Sequence, residues 1–376
     1  MNRLGNLFLD LHMAVSRIFL WRPFLRQTRD PDGVQRRLLK SILHRNRNTR
    51  FGREHEFESI DSPGKYASRV AIQDYEDLRP YIERQEQGQP RQLTADEPIM
   101  FAQTSGTTGR PKNIPVLART IAQAERNQRL FACCQSAAVP GIYGGKTLAF
   151  VSPAVEGVLP SGAPFGSMSG LLYRSMPQLV RRKYVVPAAV FECRDYEVKY
   201  MLIAAFAVAE RGVSHLAAAN PSTFLKLAEV IRTHAPALLA AVETGRLPGL
   251  DRLDPALART IQQAFRENPA RARELEAWLA APPQGLFPRL WPELKAVSCW
   301  REGSCRVLLP AVQKLMGAGV PLLELGYLAS EARGSLPVDS LHHREVPSFH
   351  ENFFEFVERT DWEAGRLRFR MVGELE

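Results

Sequence analysis

Long apolar runs, paired cysteines and nucleic-acid signatures are all missing from this 376-residue sequence. No tract reaches the roughly 18 apolar residues that a membrane-spanning helix needs, so no integral membrane segment is expected. The five cysteines form no C-x-x-C pair, which is typical of a reducing compartment and predicts a cytoplasmic protein. The net charge is +9, but the arginines are scattered and zinc-finger spacings are absent, so no nucleic-acid partner is predicted.

The N-terminal stretch from Leu4 to Trp21 is apolar but is interrupted by Asp10, His12 and Arg17. It lacks the unbroken apolar centre and the small-residue cleavage site of a signal peptide. We therefore predict an amphipathic helix that docks on the body of the protein. A helix lying on a membrane surface is the alternative that the pattern leaves open.

Two hydrophobic periods alternate along the rest of the chain, and together they predict an α/β fold with mainly parallel β-sheets flanked by helices. Short apolar runs bounded by turn residues predict strands at Thr147–Ser152, Val213–Ala218, Leu294–Cys299 and Leu322–Leu325. The Pro-rich piece Ala281–Pro292 is interpreted as an irregular connection. Helical spacing predicts helices over 34–45, 117–136, 197–211, 222–233, 256–267 and 305–317.

The segment from Thr104 to Lys112 reads TSGTTGRPK and is the most informative in the sequence. Four hydroxyl residues and two glycines in six positions suit neither a core nor a helix, but they suit an anion-binding loop. Glycines let backbone N–H groups turn toward a ligand, hydroxyls donate hydrogen bonds, and Lys112 adds positive charge. By contrast, Gly141–Thr147 fails the Walker spacing because Pro140 replaces a glycine, and it predicts a turn entering a strand.

A second segment, GYLASE, follows the predicted strand Leu322–Leu325 directly. Ligands of open α/β sheets bind beyond the carboxyl ends of strands, where this segment is expected to fall. There Tyr327 offers a face for a purine, Ser330 a hydroxyl group, and Glu331 a hard oxygen ligand for Mg²⁺.

The two segments together resemble the phosphate-binding signature and the aromatic-x-x-Ser/Thr-Glu motif of the adenylate-forming superfamily. From about residue 34 onward the chain also resembles the auxin-responsive Gretchen Hagen family of acyl acid amido synthetases. The stretches that carry this resemblance are Phe51–Glu54, Asp74–Asp77, Pro80–Ile82, Tyr184–Pro187, Asn220–Thr223 and Phe353–Phe356.

The resemblance implies a ligase that uses ATP and Mg to activate a small-molecule carboxylic acid as an acyl-adenylate, and then passes the acyl group to an amino acid. It implies that Ser105, Thr108 and Glu331 serve catalysis, that Glu331 holds the metal and that Tyr327 packs on adenine. The residues implied to bind nucleotide are Thr104, Ser105, Gly106, Thr107, Thr108, Gly109, Lys112, Tyr327 and Ser330.

The sequence departs from the family beyond residue 350, where the Tyr-Arg-x-Gly-Asp-like third nucleotide motif and the small C-terminal domain are missing. We expect residues 1–350 to form the adenylating domain, and 351–376 to begin a β-hairpin subdomain that is cut before the C-terminal domain. A chain ending there is expected to bind ATP weakly and to turn over little.

The acyl pocket is less well marked in the sequence. Segment Asn220–Leu225 and the helix over 197–211, with Tyr200, Met201, Ala204 and Phe206, are possible linings, but their spacing favours ordinary core. Trp300 and Gly303 are expected to border the adenine site. Two alternatives stay open: a ligase whose acyl acceptor is a thiol such as coenzyme A, and a nucleotide-binding module without catalysis.

Overall fold

The computed structural model describes residues 11–104, 111–279, 284–342 and 344–375, and these have the α/β fold that the sequence predicts. The strands are, in chain order, β1 (Met100–Thr104), β2 (Lys112–Val116), β3 (Lys146–Ala149), β4 (Gly157–Val158), β5 (Pro164–Gly166), β6 (Val213–Ala217), β7 (Ala296–Cys299), β8 (Leu322–Glu324), β9 (Ser335–Asp339) and β10 (Arg344–Pro347).

Helices surround these strands. The first, called the N-terminal helix here, covers residues 11–27 and contains a π-helical turn at Arg17–Trp21. The others are α1 (Pro31–Asn46), α2 (Arg50–Glu54), α3 (Pro63–Arg69), α4 (Tyr75–Glu86), α5 (Ala118–Ala138), α6 (Met168–Ser175), α7 (Gln178–Arg181), α8 (Ala188–Phe191), α9 (Tyr196–Ala209), α10 (Ser222–Thr233), α11 (Ala235–Thr244), α12 (Pro255–Ala264), α13 (Pro269–Leu279), α14 (Leu286–Leu290), α15 (Leu309–Met316) and α16 (Arg359–Glu363). None of the helices in the described part of the chain is both long and apolar enough to cross a membrane.

A four-stranded parallel sheet, ordered β3-β6-β7-β8, lies at the centre of the largest apolar core. All four of its strands overlap the runs that the sequence predicts, although β3 begins one residue early, at Lys146. Strand β7 is buried at every position, and α9 packs beside the sheet with Leu202 and Ala205 fully buried. Strands buried on both faces read as continuous apolar runs, which is why the pattern identifies them.

A second sheet, ordered β2-β1-β5-β4, lies outside that core and was not predicted. Its strands β1 and β2 form an antiparallel hairpin in which Thr104 pairs with Lys112. The predicted phosphate loop is therefore the loop of a β-hairpin, and α5 begins shortly after β2. Strand β2 is mostly half-buried and contains Pro115, so it lacks the alternation that marks a strand.

A third, two-stranded sheet pairs β9 with β10, and it packs with the N-terminal helix, α1 and α5 in a separate apolar cluster. Buried Gln35 of α1 ties the end of the chain to this body. Its Nε2 donates to the carbonyl oxygens of Phe349 (2.5 Å) and Asn352 (2.7 Å), and its Oε1 accepts from the N–H of Phe354 at 2.7 Å. Farther along, Phe356 and Arg370 form one antiparallel bridge. The division at residue 350 stays a prediction.

Two of the predicted elements were wrong in part. Residues Gly303–Leu308 form 3-10 turns, and α15 starts only at Leu309, because Pro310 is favoured in the first turn of a helix. The connection predicted at 281–292 contains helix α14, whose residues Leu286, Phe287 and Leu290 are buried. Apolar packing outweighs the proline signal there, since Pro288 lies in the first turn, where no intrahelical N–H bond is lost.

Candidate active site

Strands β6, β7 and β8 end at one edge of the parallel sheet, and Trp300 joins the three segments beyond them. Trp300 donates its backbone N–H to the carbonyl oxygen of Ala219 at 2.9 Å, just past β6. Its indole N–H donates to the carbonyl oxygen of Gly326 at 3.2 Å, just past β8. Because α/β sheets bind ligands outside the carboxyl ends of their strands, this edge is the first half of the candidate site.

Glu324, the last residue of β8, anchors the backbone at this edge. Its side chain is 3% exposed and accepts three backbone N–H groups: Leu325 at 2.8 Å, Gly326 at 3.0 Å and Arg301 at 2.8 Å. A carboxylate with three such bonds is well satisfied in spite of its burial. Sequence reasoning missed this residue, although an acid that ends an apolar run is an available signal.

The segment that contains Tyr327 is a tight hairpin. Gly326 enters it with φ +76°, a conformation that L side chains rarely adopt. The Tyr327 carbonyl oxygen accepts from the N–H groups of Gly334 (2.7 Å) and Ser335 (3.2 Å), and its N–H donates to the Ser335 hydroxyl at 2.7 Å. The tip of the hairpin closes through a bond from Ala329 N–H to the carbonyl oxygen of Ala332 at 2.9 Å. This places residues 328–332 as a turn that projects from the sheet edge.

The side chains predicted to bind ligand on this hairpin face outward. Tyr327 is 69% exposed, and the edge of its ring lies against Gly334, where a Cβ atom would stand only 2.0 Å from ring atom Cδ1. A side chain at position 334 would therefore displace the ring. Ser330 is half-buried and Glu331 is exposed, and Glu331 forms no ion pair within the described ranges.

Arg333 holds the hairpin against α5, and sequence reasoning missed it as well. It is 8% exposed, its Nη1 donates to the carbonyl oxygen of Leu325 at 2.6 Å, and its guanidinium lies 4.5 Å from the ring centre of Phe131. Burial lowers the pKa of Arg333 to about 10, so the group stays charged at neutral pH. The carbonyl oxygen of Arg333 accepts in turn from the Asn352 amide at 2.7 Å.

The second half of the candidate site is the loop between β1 and β2. Thr104 and Lys112 are cross-strand partners at its base. Five residues predicted to bind nucleotide lie outside the described residues: Ser105, Gly106, Thr107, Thr108 and Gly109.

Tyr75 of α4 supports the base of this loop. Its hydroxyl accepts from Asn113 N–H at 2.8 Å and donates to the Asn113 carbonyl oxygen at 3.1 Å. Lys112 Nζ lies 5.2 Å from the ring centre of Tyr75, and the Arg79 guanidinium lies 4.8 Å from it. Burial raises the pKa of Tyr75, so its hydroxyl stays protonated and can keep donating. The Asn113 amide donates to Glu86 at 2.9 Å.

Helix α5 connects the two halves. It starts two residues after β2, and its Phe131 packs in the same apolar cluster as Leu325, which precedes the hairpin. The two halves keep separate contacts, since Lys112 lies against Tyr75 and Tyr327 lies against Gly334. In the described part of the chain, Lys112 and Tyr327 do not contact each other.

The suggested acyl-pocket residues lie in or against the core. The Tyr200 ring is 9% exposed and packs 6.2 Å from Phe150 and 4.7 Å from Tyr196, while Phe224 is fully buried. Met201 packs against this core from a half-buried position. Ala204 and Phe206 are also buried, which agrees with the core role that their spacing favours.

Comparison with protein families adds one match that covers most of the chain. Residues 21–322 match the family described as "GH3 family N-terminal domain".

Relatives and solved structures agree with that match. The indole-3-acetic acid-amido synthetase GH3.15 of Arabidopsis thaliana is 28% identical over 88% of this chain and 58% of its own length. The probable indole-3-acetic acid-amido synthetase GH3.2 of Oryza sativa subsp. japonica is 27% identical over 81% of this chain and 51% of its own. The chain thus spans little more than half the length of these relatives.

Among solved structures, the "AtGH3.15 acyl acid amido synthetase in complex with 2,4-DB" is 26% identical, with a TM-score of 0.76. That match covers 82% of this chain and 55% of the solved chain.

Proposed function

The chain belongs to the GH3 family, and on that premise we propose that it provides the ATP-binding and acid-binding part of an acyl acid amido synthetase. The reaction activates a small carboxylic acid with ATP and Mg, and then transfers the acyl group to the amine of an amino acid. The observation that carries the proposal is the exposed pair Tyr327 and Glu331 on a fixed hairpin at the carboxyl edge of the parallel sheet.

The edge of the sheet suits a nucleotide base. The Tyr327 ring has its edge against Gly334 and is 69% exposed, so a purine can stack on its face. Trp300 borders this base site, because its indole N–H donates to the carbonyl oxygen of Gly326, the residue before Tyr327.

The hairpin loop suits phosphate groups. In the proposal, the hydroxyl groups of Thr104, Ser105, Thr107 and Thr108 donate to phosphate oxygens, while Gly106 and Gly109 let the backbone approach. Lys112 starts from a position over the Tyr75 ring, where a cation is held weakly, and can turn to a phosphate.

The donor set also fits a magnesium ion. Glu331 is an exposed carboxylate that forms no ion pair in the described part of the chain, and hard oxygen ligands are what Mg²⁺ prefers. Glu331 would hold the ion, with Ser330 beside it. When bound, the ion neutralises charge that develops on the phosphates as pyrophosphate leaves.

The chemistry explains why ATP is needed. A carboxylate oxygen attacks the α-phosphorus of ATP, the bond to the β-phosphate breaks, and pyrophosphate departs, so that AMP becomes the leaving group on the acyl carbon. The amine nitrogen then bonds to that carbon, the bond to AMP breaks, and the amine loses a proton. A carboxylate is already deprotonated, so the first step needs no general base.

We also assign residues 1–350 to the adenylating domain and 351–376 to the start of a further subdomain. The five cysteines are free thiols and four of them are buried, which fits the cytoplasm as its location.

The test is ATP–pyrophosphate exchange across a panel of carboxylic acids that includes indole-3-acetic acid, followed by product analysis with amino acids and with coenzyme A. We expect slow exchange that requires both acid and Mg, because turnover by this chain is expected to be low, and an amino-acid amide as the conjugated product. An acyl thioester instead of an amide would show that the acyl acceptor is a thiol and not an amine. Failure of the folded chain to bind MgATP in calorimetry would overturn the proposal.

Site variants make the calorimetry specific. Ser105→Ala should weaken ATP binding by roughly tenfold or more, since a hydrogen bond to a charged group is lost. Glu331→Gln should weaken MgATP binding about as much, but should leave metal-free AMP nearly unchanged. The matched control is Glu293→Gln, an exposed glutamate distant in sequence from both motifs. Equal losses for MgATP and AMP would show that Glu331 holds no metal.

A further inference from the structure

The N-terminal helix buries one side and exposes an apolar side. Its inner residues Leu20, Trp21 and Phe24 pack in the cluster that contains Phe131 and Leu325, directly beneath the Tyr327 hairpin. The Phe24 ring lies 5.8 Å from Phe349 and 5.0 Å from His350. These contacts fix the helix to the body of the protein and determine which of its faces points to solvent.

The outer side is unusually apolar for a surface helix. Phe19 is 68% exposed and Leu11 62% exposed, and three more large apolar residues stand with them. Most surface-helix residues are polar on the outer face, so a contiguous apolar strip indicates a contact with something else. The strip consists of Leu11, Val15, Ile18, Phe19 and Leu25.

Positive charge borders this strip, and the nearest acidic residues in the sequence, Asp10 and Asp30, lie just outside it. No Asp or Glu occurs between Leu11 and Arg29. Arg22, Arg26 and Arg29 are exposed. Arg22 and Arg26 continue the face of Leu11 and Ile18 at helical spacing, and Arg29 follows in the turn after the helix. Within the described ranges, none of these three arginines forms a salt bridge. The outer face of the helix thus presents apolar side chains over its first half, and cations beside Leu25 toward its end.

This arrangement argues against a second copy of the chain as the occupant. An antiparallel pair of helices would set the apolar half of one copy against the arginines of the other, and a parallel pair would set arginine against arginine. Both arrangements desolvate cations or place like charges together. An anionic lipid surface satisfies both halves, because its acyl region accepts Phe19 and its phosphates pair with the arginines.

We propose that the N-terminal helix docks the protein on an anionic membrane surface, with Leu11, Val15, Ile18 and Phe19 entering the headgroup–acyl boundary. The protein lies on the membrane and does not span it. The inference is independent of the reaction proposed above, although the helix shares its inner cluster with the Tyr327 hairpin.

The test is co-sedimentation of the whole chain with vesicles of phosphatidylcholine, with or without phosphatidylglycerol. We expect binding to the mixed vesicles, little binding to phosphatidylcholine alone, and release at high salt. Changing Arg22, Arg26 and Arg29 together to Gln should weaken binding about 100-fold. The control changes Arg259, Arg266 and Arg273 to Gln, which removes the same charge from exposed sites elsewhere.

The apolar strip is tested separately. Phe19→Ser should weaken vesicle binding by roughly tenfold, while Val158→Ser, which alters a 65% exposed residue of β4, should not. Both residues are exposed, so urea midpoints should stay unchanged and confirm intact folding. Equal binding of the arginine variant and its control would overturn the proposal. So would absence of vesicle binding together with a dimer that Phe19→Ser dissociates, because a second copy would then cover the strip.

Discussion

The two halves of the candidate site are fixed to the protein by different kinds of contact. At the sheet edge, Glu324 and Arg333 are 3% and 8% exposed, and both bond directly to backbone atoms. At the base of the β1–β2 loop, Lys112 and Tyr75 are half-buried, and the lysine is held by a cation–π contact at 5.2 Å. The first half rests on buried charge, and the second on partly solvated contacts.

This difference in contacts predicts how far each half of the site moves when a nucleotide binds. Breaking a bond to a buried charged group leaves polar atoms without partners, so the Tyr327 hairpin should keep its geometry when ligand arrives. A cation–π contact at an exposed site contributes only about 0.5–1 kcal/mol, so a phosphate can draw Lys112 away at small cost. We therefore expect a preformed base site and an adjustable phosphate site.

Glu324→Ala should have the largest effect, a loss of stability at the sheet-edge half of the site. It removes the acceptor of three backbone N–H groups, two of which form buried bonds, and should lower the free energy of unfolding by about 4 kcal/mol. Urea unfolding measures the change. Glu324→Gln is the graded control, since its amide oxygen can still accept from Leu325 and Gly326, and it should lose about half as much. Equal stability of Glu324→Ala and the parent chain would refute the anchoring role.

A buried histidine under the same edge should make this half sensitive to acid. His215 of β6 is 4% exposed, and its Nε2 lies 2.9 Å from the Ser298 hydroxyl, which also accepts from the Gln135 amide at 2.8 Å. Its Nδ1 has no hydrogen-bond partner in the described part of the chain, and the Tyr143 ring packs edge-on at 5.5 Å. Burial lowers the pKa of His215 to about 4.

The direction of the pH effect on stability follows from the number of protons that the folded and unfolded chains bind. Above pH 6.5, His215 is neutral in both states and stability is unaffected. Between pH 6.5 and about 4 the unfolded chain binds a proton that the folded chain does not, so stability falls as pH falls, by up to about 3 kcal/mol. The measurement compares unfolding free energies of the parent and His215→Gln across that range. If the difference between the two does not vary with pH, the depressed pKa is wrong.

The same contrast explains what the sequence could predict. Strands β3, β6, β7 and β8 are rich in apolar residues because β6, β7 and β8 are almost wholly buried and the middle of β3 is buried too, and the pattern located all four. Strands β1 and β2 were not predicted, since β2 is mostly half-buried and neither alternates clearly. Arg333 was missed because its importance comes from tertiary burial, which local pattern does not encode, whereas the signal for Glu324, an acid that ends an apolar run, was overlooked. The roles of Tyr327 and Glu331 stay predictions, which the sequence could make because their spacing is a motif.

Gly334→Ala should disturb the base site without deleting a functional group. A Cβ atom there would stand 2.0 Å from Cδ1 of Tyr327, so the exposed ring must move away from residue 334. We expect ATP and AMP affinity to fall about tenfold through lost stacking on Tyr327, while stability changes little. Calorimetry with both nucleotides measures this. Unchanged affinity would place the purine elsewhere, and Gly319→Ala, at an open position, is the control.

Tyr75→Phe should have the smallest effect on MgATP affinity. It separates the two roles of Tyr75 at the base of the β1–β2 loop, which are the ring contact with Lys112 and the hydroxyl bonds to Asn113. The phenyl ring remains under Lys112, but both hydroxyl bonds to Asn113 are lost, and each such bond contributes about 1 kcal/mol or less when it is partly solvated. We expect MgATP affinity to fall only about threefold to fivefold, with a similarly small loss of stability. Tyr75→Leu also removes the ring and frees Lys112 from its resting contact. If that contact competes with phosphate, Tyr75→Leu should bind MgATP no more weakly than Tyr75→Phe. A much larger loss for Tyr75→Leu would mean that the ring positions Lys112 for the phosphate, and the loop base would then be as preformed as the sheet edge.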